Sequence, residues 1–90
     1  MTNIDEIRSV LLRMSELLLL SGLDDWAHEL IRLARKADSG YFAVRPDIRQ
    51  MYGGMGSLND VVLYKSGRVL QQENDEFDVL RERLYELTRD

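Results

Sequence analysis

The chain has 90 residues, 44% of them hydrophobic and 31% charged, with a single proline; that balance belongs to a globular chain and excludes a disordered one. Twelve Lys and Arg against sixteen Asp and Glu leave a net charge of −4, cysteine is absent, and the longest apolar run is Leu17 to Leu20. A membrane-spanning helix, a disulfide framework, a thiolate–metal site and a cysteine nucleophile are therefore excluded.

The first predicted element runs from Asn3 to Ser21. Asn3 and Glu6 stand at capping-box spacing, and Ile4, Ile7, Leu11, Met14 and Leu18 recur every three or four residues, as on one face of a helix. Gly22 is placed to end it in the left-handed conformation. A second helix is predicted over Leu23 to Ala37, with Ser21 and Asp24 as a cap pair and Asp24 and Asp25 in the positive first turn. Its apolar face carries Leu23, Trp26, Ala27, Leu30, Leu33 and Ala34, and His28 falls on the polar face. The short link between the two helices predicts a tight helical pair.

Pro46 is predicted to open a short third helix of one to two turns, ended at Gly53. Val61–Lys65 and Arg68–Gln71 flank Ser66-Gly67 and read as a β-hairpin, with Tyr64 opposite Val69 and Lys65 opposite Arg68. Because an isolated hairpin is marginal in water, this one is expected to lie against the helices, covered on both sides. A last helix is predicted over Asp75 to Arg89, capped by Asn74, with Phe77, Leu80, Leu84 and Leu87 as its apolar stripe and Tyr85 and Val79 outside it. The predicted fold is α+β and mainly helical, α-α-(short α)-β-hairpin-α, in one domain over residues 1–90.

The chemistry-bearing residues point away from an enzyme. The lone His28 has no second histidine with which to hold a metal and no nucleophile in its vicinity. No catalytic residue, metal site or cofactor is assigned. Gly53, Gly54, Gly56 and Ser57 form a loop whose amides could cradle phosphate, but the strand, lysine and long helix of a phosphate loop are not at their usual places. This loop carries the alternative reading, a small-ligand or phosphate-binding domain.

Between residues 32 and 49, Arg32, Arg35, Lys36, Arg45 and Arg49 against Asp38 and Asp47 leave +3, so the rest of the chain carries −7. A basic patch with aromatics admits nucleic acid as a third reading, which the overall charge opposes. The same stretch is rich in the residue types of interface centres. Arg45, Arg49, Tyr52, Met55 and Asn59 are thus expected to contact a protein partner. Leu12 and Leu19, seven residues apart and outside the main stripe of the first helix, are expected to form a homodimer face.

The segment Tyr52-Gly53-Gly54-Met55-Gly56-Ser57-Leu58-Asn59-Asp60, running into Val61-Val62-Leu63, resembles a group of small bacterial cytosolic proteins of unknown function. These carry a Gly-Gly-Met-Gly-Ser-(aromatic or Leu)-Asn-Asp segment followed by a hydrophobic strand. The resemblance implies a helical pair before the segment, an acidic helix after it and a cytoplasmic location. By analogy it suggests an immunity-like or regulatory interaction protein.

Overall fold

The computed structural model describes residues 3–53 and 56–89. Among them, α1 (Ile4–Leu20) and α2 (Asp24–Lys36) form the predicted helical pair. Gly22, at φ 76°, donates to the Leu19 carbonyl and the Leu23 N–H to that of Leu18. These two bonds reverse the chain and satisfy carbonyls that α1 would otherwise leave open. The expected side-chain caps do not form: the N-caps are Asn3 and Leu23, and neither has a side-chain cap bond. Glu6 is drawn away from Asn3 by Arg83, whose guanidinium donates two bonds to it, one of 2.8 Å.

The third helix is a correction. α3 spans Tyr41–Gln50, so Pro46 lies inside it rather than at its start. The Gly40 carbonyl accepts the Ala43 and Val44 N–H groups and opens the helix five residues earlier than proline alone suggests. The N–H that Pro46 lacks would have met the Phe42 carbonyl. Phe42 is 83% exposed, so water can serve that carbonyl. Gly53 does not take a left-handed conformation, and Met51 is the C-cap of α3.

The hairpin has the predicted register but only two residues per strand. β1 (Tyr64–Lys65) pairs antiparallel with β2 (Arg68–Val69), Tyr64 opposite Val69 and Lys65 opposite Arg68. Ser66 and Gly67 both have positive φ, 52° and 77°, the turn that matches strand twist. Contrary to expectation the hairpin is not covered on both sides: Val62, Tyr64 and Val69 are about half exposed, and only Leu63 is buried.

α4 (Gln71–Leu87) begins four residues before the predicted start, and Asn74 is inside it rather than capping it. Gln71, Gln72 and Glu73 are good helix formers. Asn74 is spent instead on the hairpin: it accepts the Leu63 N–H at 2.9 Å and donates to the Leu63 and Leu70 carbonyls at 3.0 and 2.8 Å. One amide side chain thereby satisfies backbone groups on both hairpin arms, which explains how so short a hairpin keeps its place.

The buried side chains form one cluster, drawn from Ile7, Leu11, Met14 and Leu18 of α1, Leu30 and Leu33 of α2, Val44 and Ile48 of α3, Leu58 and Leu63, and Phe77 and Leu84 of α4. α4 lies antiparallel along α1. Glu6 meets Arg83, and Arg13 meets Glu76 at 2.6 and 2.9 Å; each pair is one step of seven residues from the other on both helices. Among the described residues, no helix is long and apolar enough to cross a membrane.

Both carboxylates are held below the usual range for glutamate, chiefly by the hydrogen bonds from Arg83 and Arg13. Depressed carboxylates add stability that is present above the unfolded value of about 4.3 and lost as pH falls through the folded values. Urea unfolding should therefore show stability decreasing below about pH 4.5. The double variant Glu6→Gln/Glu76→Gln should flatten that slope; an unchanged slope would show that the two inter-helix pairs do not contribute.

Candidate functional site

The residues expected at a partner surface converge on the C-terminal half of α4. Arg45 donates from Nε to the Thr88 carbonyl at 2.7 Å. Arg49 donates to the Tyr85 carbonyl and hydroxyl at 3.4 and 3.2 Å, and its guanidinium lies 4.1 Å from the centre of the Tyr85 ring. Tyr52 donates from its hydroxyl to the Arg81 carbonyl at 2.6 Å, and its ring meets Tyr85 edge-to-face at 5.2 Å. A helix end exposes unpaired carbonyls and a partial negative charge. The two arginines are donors that suit it, and Tyr52 adds a bond to a carbonyl one turn further into the helix.

The side opposite α4 is completed by the loop before the hairpin. Asn59 donates to the Tyr52 carbonyl at 3.4 Å. The result is an open concavity of about 700 Å³ between Tyr52 and Asn59 on one side and Asp78, Arg81, Glu82, Tyr85 and Glu86 on the other. Asp78 is paired with Arg81 at 2.7 Å and Glu86 with Arg89 at 3.3 Å. Glu82 is exposed and has no ionic partner among the described residues. The groove therefore has a tyrosine floor and an acidic wall on α4.

Thus Arg49, Tyr52 and Asn59 are brought together, and Arg45 joins them at the end of α4. Their first task is internal: they hold α3 and the following loop to α4. Met55 and Gly54 lie outside the described residues. Tyr85 and the acids of α4 were missed by sequence reasoning. Two signals were available: Tyr85 stands outside the apolar stripe, and Asp78, Glu82 and Glu86 repeat every four residues on the same face.

The residues that follow Gly56 are bonded within the chain. The Ser57 N–H donates to the Asp60 carboxylate, the Asn59 N–H to Ser57 Oγ, the Leu58 N–H to the Met51 carbonyl and the Asp60 N–H to the Ser57 carbonyl. Ser57 and Asp60 form a capping box on the 3-10 turn Leu58–Asp60. The amides of residues 57–60 are therefore occupied, that of Ser57 by the Asp60 carboxylate. Gly53 and Gly56 are exposed and contribute turn geometry.

The basic window is likewise dispersed. Arg32 pairs with Glu29 at 2.8 Å, Lys36 pairs with Asp47, and Arg45 and Arg49 serve α4; Arg35 remains exposed. Leu12 and Leu19 are 42% and 45% exposed, so α4 does not cover them. His28 is exposed on α2, and no group of three potential metal ligands gathers among the described residues.

The model of one family, described as a domain of unknown function (DUF6966), matches residues 20–71, more than half of the chain. The chain belongs to the DUF6966 family. The DUF6966 match runs from the last residue of α1 through α2, α3 and the hairpin to the first residue of α4. It contains the Tyr52–Asn59 wall of the groove and leaves the acidic wall outside. No curated protein and no solved structure matches the chain.

Burial pushes the Tyr52 hydroxyl well above the ordinary tyrosine range. A raised value gives stability that is full below the unfolded value of about 10 and lost as pH rises beyond it. In an alkaline titration followed by tyrosinate absorbance, one of the four tyrosines should ionise late, together with unfolding. Tyr52→Phe should remove that phase and cost about 0.5–1.5 kcal/mol at neutral pH. A late phase that survives the substitution would place the protected phenol elsewhere.

Proposed function

We propose that this protein is a non-enzymatic protein–protein interaction module, of a regulatory or immunity-like kind, that grips a basic partner through the Tyr52–Tyr85 groove. The observation that carries the reading is the groove itself. It is open and polar, whereas small-molecule sites are enclosed and mainly apolar. Its floor presents tyrosine, a residue enriched at interface centres. Its wall presents Asp78, Glu82 and Glu86, with Glu82 uncompensated, on a chain of net charge −4. Such a surface attracts cationic side chains and steers a basic protein toward it. The lack of cysteine suits a reducing cytoplasm. The phosphate and nucleic-acid readings have less to draw on, because the Ser57 amide and four of the five cations between residues 32 and 49 are engaged within the chain.

Capture from the native cell with tagged protein, followed by affinity measurement on the captured partner, tests this. Arg49→Glu is a poor control because Arg49 holds the fold. Glu82→Lys is the better one, since Glu82 is exposed and bonds to nothing within the described chain. Glu82→Lys should leave the melting temperature within about a degree and weaken the partner at least about tenfold, or ~1.4 kcal/mol. Wild-type binding should also weaken with salt. Capture that is indifferent to both would overturn the assignment of the groove.

A further inference from the structure

The hairpin leaves the outer edge of β1 open. The Leu70 N–H donates to the Leu63 carbonyl at 3.0 Å, so these two residues form a hydrogen-bonded pair. In an antiparallel ladder such pairs alternate with residues whose N–H and C=O groups point away from the partner strand. Val62 and Tyr64 are the residues that point away from β2. The sheet has only two strands, and no backbone group bonds to that of Val62 among the described residues. The edge therefore presents unpaired main-chain groups at alternate residues, in register for one more strand. Val62 and Tyr64 also share a face with Val69, and all three are about half exposed; Lys65 and Arg68 lie on the other face, with the buried Leu63.

A cavity of about 230 Å³ opens where that edge begins. Leu23 and Trp26, at the start of α2, line it together with Val61 and Val62. Consecutive residues of an extended chain point to opposite faces, so a cavity that touches both valines lies beside the strand. No residue of β2 or α4 lines it, which puts it on the side away from β2. Leu23, Trp26 and Val61 are half-buried, and the space suits one large apolar side chain. Asp60 lines the same cavity, and Asp24 and Asp25 line the neighbouring one, which shares Leu23 and Trp26. All three aspartates are exposed, and Asp24 and Asp25 have no ion pair among the described residues.

We infer that the β1 edge and the Trp26 cavity together bind an extended segment of a partner protein, which adds a strand beside β1, seats one large apolar side chain in the cavity and carries lysine or arginine next to it. The occupant is an extended chain because unpaired main-chain groups at alternate residues are satisfied by another strand, whereas a helix uses its own N–H and C=O groups internally. Main-chain bonds hold such a segment, and the cavity selects one of its side chains. The flanking cations complement Asp24, Asp25 and Asp60. The site lies within residues 20–71, the segment that defines the family, and shares no residue with the Tyr52–Tyr85 groove. It is thus independent of the function proposed for that groove.

Selection from a random peptide library on the 90-residue chain, followed by fluorescence polarisation with the selected peptides, tests the site. Those peptides should carry one large apolar residue flanked by lysine or arginine. Val62→Pro removes one outward N–H, and the backbone of Val61, at φ −73° and ψ 128°, is already what a following proline requires. This variant should weaken the peptides at least about tenfold while the chain still melts cooperatively. Asp24→Asn/Asp25→Asn should weaken them and reduce their sensitivity to salt. In the wild-type chain, where no variant is needed, bound peptide should slow hydrogen exchange at the Val62 and Tyr64 amides at least about tenfold. A library that yields no binder would overturn the inference. So would peptides that leave exchange at those two amides unchanged, or that bind Val62→Pro as tightly as the wild type. Peptides weakened by Glu82→Lys alone would lie in the Tyr52–Tyr85 groove, which would overturn this site and leave the function proposed for the groove standing.

Discussion

The structure depends on how the C-terminal end of α4 is satisfied. A helix that ends near the surface leaves carbonyls unpaired and a partial negative charge. Here Arg45 and Arg49 of α3 donate to the Thr88 and Tyr85 carbonyls, and Tyr52, from the turn after α3, donates to the Arg81 carbonyl one turn further into the helix. Thr88 adds its own hydroxyl bonds to Leu84 and Tyr85. This clamp brings α3 to α4, stacks Arg49 on Tyr85, and sets Tyr52 against the same ring. The groove is the space left beside the clamp, so its shape follows from the capping of one helix.

The other edges of α4 are secured by different chemistry. Along α1 the link is ionic, with two bidentate pairs seven residues apart and the buried Phe77 and Leu84 next to them in the chain. At its first turns the link is a single amide, Asn74, which holds Leu63 and Leu70 of the hairpin. The surface ion pairs are screened and individually modest. The buried apolar side chains supply the bulk of the attachment, and the polar links fix its register. The hairpin is thereby anchored at its base, and at its tip Lys65 and Arg68 are exposed with no ion pair among the described residues.

Much of this was legible in the sequence. The periodicities of α1 and α2, the buried stripe of α4 and the hairpin register all follow from residue spacing, because each is decided within a few residues. What was not legible depends on distant contacts. Asn74 reads as a cap from its neighbours, yet its amide serves Leu63, eleven residues away. Pro46 reads as a helix start, yet the chain tolerates it within α3, where the residue that would have accepted its bond, Phe42, is exposed. Arg45, Arg49 and Tyr52 were recognised as a cluster of interface-forming residues. Their immediate partner is α4 of the same chain, and composition alone cannot separate an internal interface from an external one. The acidic wall of the groove was visible as a four-residue repeat of carboxylates, but nothing local reveals that Tyr52 and Asn59 stand opposite it.

The clamp can be tested by a double-mutant cycle between Arg49 and Tyr85, using Arg49→Ala, Tyr85→Ala and the pair, with stability taken from urea unfolding at low salt. Cation–π stacking and the accompanying hydrogen bonds predict a coupling of about 1 kcal/mol, the double variant being less damaging than the sum of the singles. Strictly additive losses would contradict the account, because Arg49 and Tyr85 would then not act on each other and the groove would lack the support described.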